Sequence, residues 1–125
     1  MKGVMERVAA ARSRIENLTP DQVEREIAQG ALVVDLRETA EREQHGTIHG
    51  AVHMPRGMLE FYADPTVPFH RHELQHERRI IVYCAGGGRS ALAADLLREM
   101  GFAKAAHLDG GINAWAAAGK RVDKV

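Results

Sequence analysis

One cysteine, Cys84, stands in a chain of 125 residues. A single thiol excludes any intramolecular disulfide and any cysteine-based zinc site. It is also easiest to keep in a reducing compartment. Net charge is missing as well: 17 Lys and Arg are matched by 17 Asp and Glu, so no overall field draws the chain to nucleic acid or an anionic membrane. No segment approaches the roughly 20 apolar residues that span a bilayer. Between Met1 and Leu18, every apolar run is broken by Lys2, Glu6, Arg7, Arg12, Arg14 or Glu16. That argues against a secretory signal, and the two glutamates argue against a mitochondrial transit peptide. The expectation is a soluble, cytoplasmic protein without nucleic-acid or membrane partners. Its length suits one domain with a real core.

Hydrophobic spacing gives the elements. Val4, Val8, Ala11 and Ile15 lie at helical spacing, which predicts a helix over residues 3–17 that docks on the main body or on a second copy of the chain. A new helix starts at Thr19. Thr19 serves as N-cap, Pro20 takes the first helical position, Gln22 completes a capping box, and Leu18 with Val23 forms a staple across the turn. Gly30 is placed to stop it. The compact domain therefore begins at Thr19.

Leu32-Val33-Val34-Asp35 and Ile80-Ile81-Val82-Tyr83 are short apolar runs without polar alternation, as in strands buried on both faces of a parallel sheet. A short helix over 39–45 stopped by Gly46, a strand within 50–55 closed by Pro55, and a strand over 105–108 complete the alternation. Residues 56–79 carry weak signals: a helical turn near Met58–Tyr62, a loop at 64–68, and a charged helix over 73–79. A helix from Ala91 packs through Leu92, Leu96, Leu97 and Met100 and ends at Gly101. Gly110-Gly111 is a turn before a last helix, 112–118, anchored by Trp115. Strands alternating with helices imply an α/β domain with a mainly parallel sheet.

Cys84 follows the run at 80–83, and Gly86-Gly87-Gly88-Arg89-Ser90 lies between it and the next helix. Ligands of open α/β sheets bind beyond the carboxyl ends of the strands. A helix N-terminus there favours negative charge, and Arg89 adds a formal cation. Both favour the thiolate, which is the nucleophile. Three glycines cost roughly 0.5–1 kcal/mol each against alanine in regular structure, which a plain turn seldom needs. They let backbone N–H groups turn inward as an anion cradle. Cysteine-based phosphatases set five residues between cysteine and arginine. Here Ala85 to Gly88 are four, a cradle better sized for one added sulfur than for a phosphoryl group.

With these blocks in order, the sequence resembles the rhodanese-like (thiosulfate sulfurtransferase-like) family. Residues 32–38 resemble its first block, and Gly46 to Pro55 the second. Cys84 to Ser90 resembles the active-site loop, and Leu108 to Trp115 the terminal block. The resemblance implies a five-stranded parallel sheet flanked by helices on both faces. It divides the chain into an N-terminal helical extension, 1–18, and a domain over 19–125. It implies a sulfurtransferase with a persulfide on Cys84, loaded by a small donor anion such as thiosulfate and discharged to a thiol or cyanide, with an acceptor protein as a further partner. Amides of Ala85, Gly86, Gly87, Gly88, Arg89 and Ser90 would hold the charge. No cofactor is implied. Ala85 stands where the family often has a basic or polar residue, so donor attraction rests on Arg89 and Arg56. Thr47 and His49 replace the family's usual histidine and proline.

Other groups read as structural. His70, His72 and His76 with Glu73 and Glu77 form a charged connection rather than a metal site. His53 and His107 belong to strands or strand ends. Asp35 and Arg37, candidates for a supporting role, read first as a pair satisfying loop backbone. The rival reading is a non-catalytic persulfide carrier or interaction module of the same fold, and a small phosphatase or arsenate reductase is the third.

Overall fold

A computed structural model describes residues 3–125. In chain order the elements are α1 (Val4–Arg12), β1 (Glu16–Leu18), α2 (Pro20–Ala28), β2 (Leu32–Asp35), α3 (Thr39–His45), β3 (Thr47–Ile48) and β4 (Val52–His53). A 3-10 turn (Arg56–Met58) leads into α4 (Leu59–Ala63). Then come β5 (Ile80–Tyr83), α5 (Gly88–Glu99), β6 (Ala105–Leu108), α6 (Gly111–Ala117) and β7 (Val122–Asp123). Five strands form one sheet in the order β1–β6–β5–β2–β4, and every pairing in it is parallel. A small antiparallel ribbon joins β3 to β7.

The central strand is β5, and Cys84 follows it directly. All four residues of β2, of β5 and of β6 are buried. Their side chains divide by period two between the faces. Leu32, Val34, Ile80, Val82 and Ala105 pack with Leu59, Leu74, Ala93, Ala94, Leu97 and Phe102 on one face. On the other, Val33, Ile81, Tyr83, Ala106 and Leu108 meet Val23, Ile112 and Trp115. Helices thus cover both faces, as a parallel sheet requires.

The cap of α2 matches its sequence signature. Thr19 Oγ1 accepts from Gln22 N at 3.2 Å, and Gln22 Oε1 accepts from Thr19 N at 2.8 Å. Leu18 and Val23 are both buried in the same cluster. Three expectations need correction. The helix foreseen over 3–17, within the 1–18 extension, ends at Arg12, and Glu16–Leu18 becomes an edge strand paired with β6. Three residues with one apolar side chain carry no strand signal of their own; the ladder with β6 makes the strand. Residues 1 and 2 of that extension lie outside the described residues. Second, 73–79 form turns, not a helix, with Leu74 buried and the His76 ring stacked on Phe102 at 4.2 Å. Third, α5 starts at Gly88 and buries Ala91, Ala93, Ala94 and Leu97, while Leu92 and Leu96 are only half-buried. The cause is position. Small alanines let α5 lie close to the sheet, while Val8 and Ala11 of α1 cover it at Ala91.

Candidate functional site: the loop from Cys84 to Ser90

The loop is built by the two elements it joins and by a third that props it. As β5 ends, the carbonyls of Cys84 and Ala85 accept from Ile112 N at 3.0 Å and Asn113 N at 3.1 Å, the start of α6. Gly111 makes that approach possible. Its φ is +60°, and a Cβ there would stand 2.3 Å from the Ala85 carbonyl oxygen. With both carbonyls engaged by α6, the loop is free to aim N–H groups at the sulfur. Gly87 N donates to Cys84 Sγ at 3.1 Å. Gly87 has φ +111°, the left-handed region that glycine favours. The first-turn amides after it, of Gly88, Arg89 and Ser90, are those an α-helix leaves without intrahelical acceptors.

Cys84 itself, directly after a buried strand, is 1% exposed. The rest of the loop is more open: Gly86 is exposed, and Ala85, Gly88 and Arg89 are half-buried. Of the three consecutive glycines only Gly87 needs to be one. A Cβ on Gly86 or Gly88 meets nothing within 4 Å.

Arg89, expected as a free cation, is held. Its Nη1 and Nη2 donate to both carboxylate oxygens of Glu41 in α3, at 2.7 and 2.9 Å. The Arg89 bonds, with a smaller backbone bond from Glu38, bring the Glu41 carboxyl down to about 2, so the pair stays ionised across the physiological range. The clamp pairs Arg89 with Glu41 at the loop mouth, while the guanidinium also lies close enough to Cys84 to interact with it. Glu41 was missed in the sequence because nothing local ties α3 to a residue 48 positions later.

Behind the thiol runs a buried chain of polar groups. The Cys84 S–H lies 3.6 Å from Ser90 Oγ; Ser90 Oγ is 2.8 Å from His107 Nδ1; His107 Nε2 is 2.8 Å from Asn17 Oδ1. Burial pushes His107 down to about 4, so its ring is neutral at pH 7. His107 and Asn17 belong to adjacent strands, a proximity with no signature in the sequence.

Asp35 and Arg37 form a buried ion pair. Arg37 Nε and Nη2 donate to Asp35 Oδ1 and Oδ2 at 3.1 and 2.9 Å, and Arg37 Nη2 also reaches the Gly46 carbonyl at 2.6 Å. Tyr83 O–H donates to Asp35 at 2.8 Å, and Arg42 Nε does so at 3.1 Å. Burial alone would raise the Asp35 carboxyl; Arg37 and Tyr83 together hold it below its ordinary value. The pair ties the ends of β2 and β5 to the start of β3. Arg56 pairs with Glu60 at 2.8 Å and lines a hollow with Arg7 and Arg14. The hollow that adjoins the loop is another, about 530 Å³, lined by Glu41, His45, Ala85, Ile112, Asn113, Ala116 and Val122.

Among the described residues no group of three or more His, Cys, Asp or Glu is placed to hold a metal ion. His76 donates to the Met100 carbonyl, while the His70 and His72 rings meet edge to face. No helix of the described residues is long and apolar enough to cross a membrane.

Comparison with known proteins places this geometry. The family model described as Rhodanese-like domain matches residues 19–118. A sulfurtransferase of Allochromatium vinosum is 34% identical over 85 residues, 68% of this chain and 71% of that protein. A probable adenylyltransferase/sulfurtransferase of Mycobacterium tuberculosis, MoeZ, is 30% identical over 117 residues, 91% of this chain but 28% of that longer protein. Among solved structures, a Rhodopseudomonas palustris protein of unknown function, described as a possible tyrosine phosphatase, superposes with a TM-score of 0.93 at 37% identity, covering 98% of this chain and 96% of its own. The homodimeric polysulfide-sulfur transferase of Wolinella succinogenes gives 0.78 at 26% identity, over 96% of this chain and 86% of that one.

Proposed function

The chain belongs to the rhodanese-like domain family, and from that premise we propose that Cys84 carries sulfane sulfur, as a persulfide, from a small donor anion such as thiosulfate to a thiophilic acceptor. Relatives named as sulfurtransferases support sulfur transfer at the level of the family. The observation that carries the reading at the site is the Gly87 N–H on Cys84 Sγ at 3.1 Å, with the neighbouring carbonyls engaged by α6.

The thiolate attacks the outer sulfur of the donor. The donor's S–S bond breaks, sulfite leaves with the electron pair, and Cys84–S–S⁻ forms. Its negative terminal sulfur falls within reach of the first-turn amides of α5. A thiol or cyanide then takes the outer sulfur and returns the Cys84 thiolate, a ping-pong cycle. Fixed N–H donors cost no reorganisation as charge arrives, which favours the loaded form. The acceptor, a small thiol or the cysteine of an acceptor protein, would come in past Ala85, and the hollow that Ala85 helps to line offers it room.

The phosphatase description of the Rhodopseudomonas neighbour makes one assay decisive between chemistries. Thiocyanate formation from thiosulfate and cyanide, abolished in Cys84→Ser, is the expected result. Cys84-dependent hydrolysis of an aryl phosphate without thiocyanate formation overturns the reading. The four-residue span to Arg89, and its clamp on Glu41, leave that guanidinium poorly placed to bind a phosphoryl group. Sulfur loading without turnover selects the carrier alternative.

A further inference from the structure

His107 is a buried titratable side chain linked to the thiol through Ser90, and the sulfur-transfer cycle leaves it unused. Its tautomer follows from its neighbours. Asn17 Nδ2 donates to the carbonyls of Arg12 at 2.9 Å and Ile15 at 3.2 Å, which fixes the amide with its oxygen toward the ring. His107 Nε2 therefore carries the proton and donates to Asn17 Oδ1. Nδ1 is left as an acceptor with the Ser90 hydroxyl 2.8 Å away. Ser90 has one proton and two acceptors near it, His107 Nδ1 at 2.8 Å and the Gly87 carbonyl at 3.3 Å. The closer one, the ring nitrogen, takes it. What Ser90 then turns to Cys84 Sγ, 3.6 Å away, is a lone pair.

We propose that His107 is a positioning residue for Cys84: locked by Asn17, it draws the Ser90 proton away from the sulfur and so opposes the bare thiolate that the loop amides favour. A lone pair accepts from S–H but repels S⁻. In the persulfide, Sγ carries neither the proton nor the main charge, which has moved to the outer sulfur among the loop amides. The arrangement penalises the bare thiolate and neither the thiol nor the loaded form, so it favours retention of sulfur once loaded. That meaning rests on the sulfur-transfer reading, but the contact itself is tested by the reactivity of the thiol alone. The charged groups facing His107 are Arg12 and Asp109, themselves paired, which push it in opposite directions. On the sulfur's side the only formal cation of the loop is Arg89, clamped by Glu41.

The experiment is iodoacetamide alkylation of Cys84 across pH in the full chain, with four variants. His107→Leu leaves the Ser90 proton only the neutral Gly87 carbonyl at 3.3 Å and, once Cys84 ionises, the charged sulfur at 3.6 Å, the stronger acceptor. This variant is therefore expected to react about tenfold faster at pH 7, with its rate profile shifted to lower pH. His107→Asn keeps an acceptor at the Nδ1 position and is expected to behave as the wild type. Ser90→Ala and Ser90→Ala with His107→Leu are expected to match each other, because the effect runs through Ser90. Slower alkylation of His107→Leu makes His107 a base rather than a holding group and overturns the proposal. An unchanged rate, a Leu-like rate for His107→Asn, or a difference between the two Ser90→Ala proteins does the same. Should His107→Leu not fold, imidazole nitrogen-15 shifts of the wild-type protein decide: a neutral ring protonated on Nε2 is expected, and one protonated on Nδ1 overturns it. None of these readouts requires a sulfur donor, so their failure is distinct from failure of the transfer cycle.

Discussion

Gly87 and Gly111 do different work from the glycines beside them. Gly87 sits at φ +111° and delivers its N–H to Cys84, while Gly111 admits the Ala85 carbonyl to the start of α6. Gly88, next to Gly87, has space around it and opens α5. Gly87→Ala is therefore expected to lower stability by at least about 1 kcal/mol, since an L side chain resists that backbone region. Gly88→Ala is expected to be neutral or stabilising by up to about 1 kcal/mol. Urea unfolding of the two variants measures both; equal losses would mean that the loop is held some other way. Of the three consecutive glycines that mark the loop in the sequence, only Gly87 is required by its backbone. The spacing from Cys84 to Arg89 was legible too. The partner that holds Arg89, Glu41 in α3, was not, because an ion pair across elements leaves no local pattern.

At the scale of elements, legibility followed how each one is specified. The helix α2 is written in a local code: a capping box, proline at its first position, and a staple, all present in the structure. Thr19→Ala is expected to cost about 1 kcal/mol in denaturant unfolding. Thr19 lies outside the loop, so Cys84 alkylation in the native state should not change; a changed rate would mean that α2 is coupled to the site. The strands β2 and β5 were legible because burial on both faces makes them uninterrupted apolar runs. The strand β1 is specified by its partner. Only pairing with β6 extends Glu16–Leu18, and that pairing sets Asn17 beside His107. The strand missed in the sequence thus supplies the far end of the hydrogen-bond chain behind the thiol.

Over the whole molecule, one sheet sets the site. Its central strand ends at Tyr83, just before Cys84, α5 begins at Gly88, and α6 engages the carbonyls of Cys84 and Ala85. The Asp35–Arg37 pair and the Glu41–Arg89 pair tie α3 and β3 to the same edge of the sheet. The sulfur is faced by the Ser90 hydroxyl, the Gly87 amide and the guanidinium of Arg89, which is close enough to feel its charge. What this cysteine accepts therefore decides the function. Intact-mass and peptide analysis after incubation of the reduced protein with thiosulfate measures it directly. The account predicts a gain of about 32 Da, one sulfur atom, on the peptide containing Cys84, reversed by cyanide and absent in Cys84→Ser. An unmodified mass in the folded, reduced protein would contradict it.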